Sequence, residues 1–260
     1  MDKAEKKYYH IASLEKGIRV LELLADHQEL AVSQVARELG LNRASSHRFL
    51  AHLCDLGYVE RGEDSRYRLS LKLLELGTKS ADRFEIRRVA RSYLQELFLA
   101  FKETVNLGYW TGADILHLDK IDSLEILRMD TPLGSRAPAF CTGLGKIILA
   151  HLPEEELNSY LAYVELTPHG PNTILSAESL RLELMETRER GYALDDEELS
   201  PGLRCVAGPV FDHSGQARYA LSVSGPTARL TPRSIDRIQH KVREICDQLS
   251  ARLGHGRGRT

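Results

Sequence analysis

The chain has 260 residues, enough for two modest domains, and 42% of them are apolar, which is ordinary for a globular protein. Its 35 basic residues nearly balance 37 acidic ones, which excludes a chain-wide basic field, so any nucleic-acid site must be a local patch. Four scattered cysteines without a C-x-x-C pair, no secretory signal pattern and no bilayer-length apolar run predict a reduced, cytoplasmic protein without structural zinc.

In chain order, Leu14, Ile18, Leu21 and Leu24 recur at helical spacing behind Ser13, a candidate N-cap. Ser33 reads as the cap of a short second helix, with Val35, Ala36 and Leu39 inward and Gly40 as the stop. After the turn "GLN", the stretch "LNRASSHRFLAHLCDLGYV" (41–59) predicts a third helix ended by Gly57. At about 100° per residue, Ser46, Phe49, Leu50, Leu53 and Leu56 gather on its packing side. Opposite lie Ala44, Arg48 and Ala51 beside His47 and Asp55, flanked by Arg43, Ser45 and His52. "YVERGEDSRYRLS" then reads as a small hairpin carrying Arg61, Arg66 and Arg68.

Helix, helix, turn, helix, hairpin is the order of a winged helix-turn-helix. Small residues at the centre of the third helix's outer face let its backbone approach a groove. Arg and His reach guanine N7 and O6, and an alanine methyl meets the thymine methyl. The hairpin arginines suit adjacent phosphates. A solvated charged face is the alternative for the helix taken alone; the elements on either side of it favour DNA.

Residues 76–102 read as a linker helix between a first domain (1–75) and a second (103–254), and the tail 255–260 is expected to be disordered. In the second domain "TVNLGYWTGADILHLDKID" and "LEILRMD" have strand character. A helix starts after Thr142, another near Pro153, and a third runs from Ser176 to Gly191. "CVAGPVFD" and "ARYALSVSGP" read as strands around the turn "HSGQ". The last helix begins at Thr231-Pro232, with Ile235, Ile238, Val242, Ile245 and Leu249 on one face. Strands and helices without strict alternation predict an α+β domain with an antiparallel sheet.

Residues 13–77 closely resemble the DNA-binding domain of IclR-type transcriptional regulators. "CTGLGKIILAHLP", "RERGYALDDEELSPGLRCVAGPVFDHSG" and "ALSVSGP" are similar to segments of that family's second domain, so the resemblance spans nearly the whole chain. It implies a C-terminal GAF-like domain, an antiparallel sheet flanked by helices, with an effector pocket over one sheet face. The matching positions are Gly143, Asp195, Cys205, Ser222 and Ser224, with Ile126 and Met129 as apolar wall. The expected DNA-binding set is Ser33, Arg43, Ala44, Ser45, His47, Arg48 and His52 with Arg61, Arg66 and Arg68 on the wing. The resemblance further implies a pseudo-palindromic double-stranded DNA operator, a small organic acid effector, and a homodimer or tetramer. Its members often carry a histidine two residues before the threonine of the glycine-lysine segment, whereas Phe140 stands here. If that position borders the pocket, it points to an aromatic acid. Without the resemblance, Cys205 reads as a small buried hydrophobe and the two serines as satisfied core hydroxyls.

Other chemistry finds little footing. "GLGK" (143–146) lacks the preceding glycine and following Ser or Thr of a phosphate loop. Cys205 has no nucleophile signature around it, although His117, His169 or His213 would be its conceivable partners in a thiol enzyme. Metal-ligand spacing is missing, and no cofactor or membrane partner is expected. The rival readings are a Cys205-dependent enzyme and a constitutive DNA-binding protein whose second domain only oligomerises.

Overall fold

The structure is a computed structural model that describes residues 11–81 and 85–256. It divides into two compact units, 1–83 and 84–260.

In the first unit α1 (Ala12–Ala25), α2 (Val32–Glu38) and α3 (Arg43–Asp55) precede an antiparallel hairpin of β1 (Val59–Arg61) and β2 (Tyr67–Leu69), and α4 (Leu71–Ala81) follows. Val20 and Leu24 of α1, Val35 of α2, and Leu50 and Leu53 of α3 meet Val59 and Tyr67 of the hairpin in one core. Asn42 caps α3, its side chain accepting the Ser45 N–H at 2.7 Å. Ser46, fully buried in this core, donates its hydroxyl to the Asn42 carbonyl at 3.1 Å, so no polar group is orphaned there.

Three sequence expectations change in this unit. Ser13 is not a cap: α1 starts behind Ile11, without a side-chain cap, and Ser13 lies exposed in the helix. Ser33 likewise sits inside α2 and is exposed, because Gln34 reaches back to accept the Ala31 N–H at 2.9 Å and lets the helix begin earlier. Leu56 is 45% exposed rather than packed. The helix closes at Asp55, and the turn through Gly57 (φ +77°) brings Val59 into the core instead.

The second unit opens with α5 (Glu85–Phe101), whose Ile86, Ala90, Leu94 and Leu97 belong to the unit's own core. The linker segment 76–102 thus divides between the two units, and residues 82–84 lie outside the described chain. Six antiparallel strands follow: β3 (Thr104–Trp110), β4 (Asp114–Ile121), β5 (Arg136–Pro138), β6 (Ala193–Asp196), β7 (Leu203–Val210) and β8 (Tyr219–Pro226). Their order is β5-β4-β3-β8-β7-β6. The helices are α6 (Gly143–Leu149), α7 (Glu154–Tyr163), α8 (Ala177–Arg190) and α9 (Pro232–Arg252). α5 and α9 cover one sheet face, where Val105, Leu107, Val206, Leu221 and Val223 meet Val242 and Ile245. α6 and α8 lie over the other, where Trp110, Ala207 and Ala220 meet Leu144, Ile147, Leu180 and Leu184. The domain is α+β, as the element pattern predicted.

"LEILRMD" is not a strand: Leu124, Ile126 and Leu127 are exposed in the loop between β4 and β5. β6, in "ALDD", has too little apolar alternation to read as a strand and forms by pairing with β7. His255 stacks on Phe211 with centroids 4.9 Å apart, so the expected disorder does not begin there; residues 257–260 of the tail lie outside the described chain. Among the described residues no helix is long and apolar enough to cross a membrane.

Candidate DNA-reading face and effector cleft

The buried Leu50 and Leu53 fix which side of α3 turns outward. Arg43, Ala44, His47, Arg48 and His52 are exposed there, and Ser45 is half-buried. Neither Arg43 nor Arg48 forms an ion pair among the described residues. Between residues 11 and 81 ten basic and ten acidic residues cancel, so attraction for a polyanion has to come from this local grouping.

The wing is prepared differently. Arg68 faces Glu60 at 3.3 Å, and Arg66 faces Asp64 at 3.2 Å and Glu29 at 3.7 Å. Arg61 donates to the Ser65 hydroxyl at 2.8 Å, with its guanidinium 5.9 Å from the Tyr67 ring centre. Exposed pairs of this kind are worth about 1 kcal/mol or less, so a phosphate can displace them.

In the second unit strand pairing assembles the cleft. Cys205 lies opposite Ser224, Ala207 opposite Ser222, and Ser222 in turn opposite Asn106. Cys205 and Ala207 of β7 and Ser222 and Ser224 of β8 therefore share one sheet face with Asn106 of β3. A register shift between β3 and β4 sets His117 opposite Gly108 and turns it into the same cleft. The remaining walls are Met129, Thr142, Gly143, Asp195 and the aliphatic Ile115, Leu144 and Leu199, and the space inside is about 10 Å³, room for about one water. Gly143 is needed for this closeness, because a Cβ there would stand 3.0 Å from the Cys205 sulfur. Two residues on, a Cβ at Gly145 would fall 2.1 Å from the Ala139 carbonyl oxygen, a space no side chain can share.

The cleft holds buried polar atoms that lack partners. Asn106 Oδ1 and His117 Nδ1 have none among the described residues. The Ser222 hydroxyl has none apart from the neighbouring Cys205 thiol. Asp195 accepts the backbone N–H groups of Glu198 at 2.9 Å and Leu199 at 3.3 Å. Burial nevertheless pushes its carboxyl up to about 7. Burial lowers His117 to about 4, with Lys120 adding to the effect, so its imidazole is neutral at physiological pH. Burial also raises the Cys205 thiol to about 11, the opposite of what a nucleophile requires.

Two expected wall residues lie elsewhere. Ile126 is 99% exposed, because its segment forms a loop instead of a strand. Phe140 lines a different cavity, where its ring meets His169 at 5.8 Å. The segment 138–142 turns between the two cavities, so Thr142 faces one and Phe140 the other. Asn106 was missed, although its place beside Thr104 and Gly108 on a strand otherwise apolar was a usable signal. In the sequence His117 stands out only as a conceivable partner for Cys205.

Lys146 of the glycine-lysine segment is fully buried. It donates to Glu198, to the Leu194 carbonyl at 2.6 Å and to Glu183 at 3.2 Å. It holds α6 to α8 and β6 and leaves no ammonium for a phosphate.

A helix-turn-helix with an exposed cationic outer face and a separate α+β unit with a closed polar cleft is the construction of a ligand-responsive transcription factor. Known proteins agree. Residues 13–63 match the IclR helix-turn-helix domain, and residues 78–251 match the C-terminal domain of bacterial IclR transcriptional regulators. The chain is 33% identical to the HTH-type transcriptional regulator KdgR of Escherichia coli over 96% of both chains. It is 33% identical to the regulator XynR of the same organism, over 94% of this chain and 98% of that one. The crystal structure of the Thermotoga maritima IclR superposes with a TM-score of 0.80 at 33% identity, covering 95% of this chain and all of that one. The chain belongs to the IclR family of bacterial transcriptional regulators. Its relatives are DNA-binding regulators with an effector-binding C-terminal domain, not enzymes, and so is this protein.

Proposed function

We propose that α3 and the wing read a pseudo-palindromic operator of a metabolic operon in the cytoplasm, and that a small organic acid in the Asp195–Cys205 cleft controls that binding. In this reading Arg43, Ser45, His47, Arg48 and His52 address the groove, while Ser33, Arg61, Arg66 and Arg68 hold phosphates. Two copies are required to present two reading helices. The exposed apolar stripe Leu14 and Ile18 on α1, with Leu71 and Leu74 on α4, supports pairing in a homodimer or tetramer.

The observation that carries the effector role is the pair of buried atoms Asn106 Oδ1 and His117 Nδ1, unpartnered among the described residues, beside a Ser222 hydroxyl whose one neighbour is the Cys205 thiol. Each such group costs about 1–3 kcal/mol, which a ligand bearing hydroxyl or carbonyl groups recovers. This lining favours a hydroxylated acid over an aromatic one, since Phe140 is not part of it. The cleft has room for about one water, so an acid enters only as a wall moves, and this ties occupancy to conformation.

Fluorescence anisotropy of a labelled operator, with gluconate, pyruvate and benzoate added in turn, tests the reading. A shift in operator affinity with gluconate or pyruvate supports it. A response to benzoate alone restores the aromatic acid. No shift with any acid favours a constitutive DNA-binding protein whose second unit only oligomerises.

A further inference from the structure

The larger cavity of the second unit, about 540 Å³, lies apart from the effector cleft and shares no lining residue with it. Its volume is in the range of a small-molecule site. Four rings line it: Phe140, Tyr160, Tyr163 and His169. Tyr160 is buried, and among the described residues its hydroxyl has no acceptor for its proton. Tyr163, by contrast, is 90% exposed at the edge.

The charge of the lining has one sign. Asp114, Glu156 and Glu165 contribute carboxylates, and neither lysine nor arginine lines the cavity. From outside it, Arg136 approaches Asp114 at 3.8 Å and Arg218 approaches Glu156 at 3.1 Å. Glu165, exposed, has no ion-pair partner among the described residues. Aromatic faces attract cations, and an unpaired carboxylate beside them adds to that attraction while repelling acids.

We propose that this cavity is a second ligand site, selective for an organic cation with an apolar body, such as an arylalkylammonium ion. The ammonium lies against Tyr163 and Glu165, the apolar body against Phe140 and Tyr160, and an acceptor atom on the ligand would take the Tyr160 proton. The ligand class is opposite in charge to the acid proposed for the effector cleft, so one site can be occupied without the other.

Trp110, the only tryptophan, supplies the readout. Its ring meets Tyr160 edge-on at 5.5 Å, and its N–H donates to Glu156, a wall residue, at 2.7 Å. Phenethylamine titrated into the full chain should change Trp110 emission saturably, whereas phenylacetate should not. Tyr163→Ala and Glu165→Gln, both at exposed positions, should each weaken the amine by about threefold. No saturable change with phenethylamine, an equal response to phenylacetate, or unaltered affinity in both variants would overturn the proposal. None of these outcomes bears on whether an acid controls operator binding.

Discussion

The proposed DNA-reading face and the proposed effector cleft are built in opposite ways. α3 presents Arg43 and Arg48 to water with no acid pairing them among the described residues, at little cost because both are exposed. The cleft buries Asn106 and His117, each with a polar atom unpartnered among the described residues, and that cost is paid by the rest of the fold. A polyanion is met by exposed charge, a small molecule by buried dissatisfaction. Substitutions in the first region should therefore move affinity, and in the second chiefly stability and pH response.

The largest expected effect tests the buried side of that contrast. Lys146→Met leaves Glu183 and Glu198 without their shared cation, and loss of one partner from a buried pair costs about 3–5 kcal/mol. Denaturant unfolding of the full chain measures it; a loss below 1 kcal/mol would mean the network is solvated and the cleft less closed than described.

Next comes Arg48→Ala, which should weaken operator binding by about 1–3 kcal/mol if this guanidinium reads a base. Unfolding stability should stay put, since the side chain is exposed. Wild-type operator affinity in this variant would show that the wrong face of α3 has been assigned.

Asp195 adds a pH test of similar size. Unfolded, it ionises near 3.8, and folded near 7, because burial disfavours the charged form. Its contribution to stability is therefore whole below about 4 and is lost as pH rises through about 7. The Glu198 carboxyl, which faces it, pushes in the same direction, and Lys146 opposes. An acid effector should bind more weakly above this value, by about tenfold per pH unit for one coupled proton. Calorimetric titration from pH 6 to pH 8 would reveal the slope, and Asp195→Asn should flatten it; an unchanged slope in that variant places the coupled proton elsewhere.

The smallest effect returns to α3. Asn42→Ala removes the side-chain acceptor for the Ser45 N–H and should cost about 1 kcal/mol of first-unit stability. Operator affinity should fall by no more than that, which separates holding the reading helix from reading with it.

Legibility in the sequence follows the same division. The outer face of α3 was readable because helical period alone sorts Leu50 and Leu53 from Arg43, His47 and Arg48. Ser46 falls on the packing side of that wheel, where a buried hydroxyl needs a partner; its hydrogen bond to the Asn42 carbonyl supplies one, and only the structure reveals such a bond. Capping was less legible, as Ser33 shows, since Gln34 can satisfy the backbone as well as a serine does.

By itself the sequence determined the order of elements in the first unit, the packing sides of α3 and α9, the α+β character of the second unit and, through resemblance, the family. These rest on local periodicity and on motifs a few residues long. The tertiary structure alone decided which residues meet. Asn106, Ser222, Ser224 and Cys205 come from three strands separated by up to 118 residues, and they become neighbours only through the order β3-β8-β7. Phe140 and Thr142 stand two residues apart yet line different cavities, because the chain turns between them into α6. Period and spacing act along the chain, whereas a binding site is closed by contacts across it, and those are fixed only when distant strands pair.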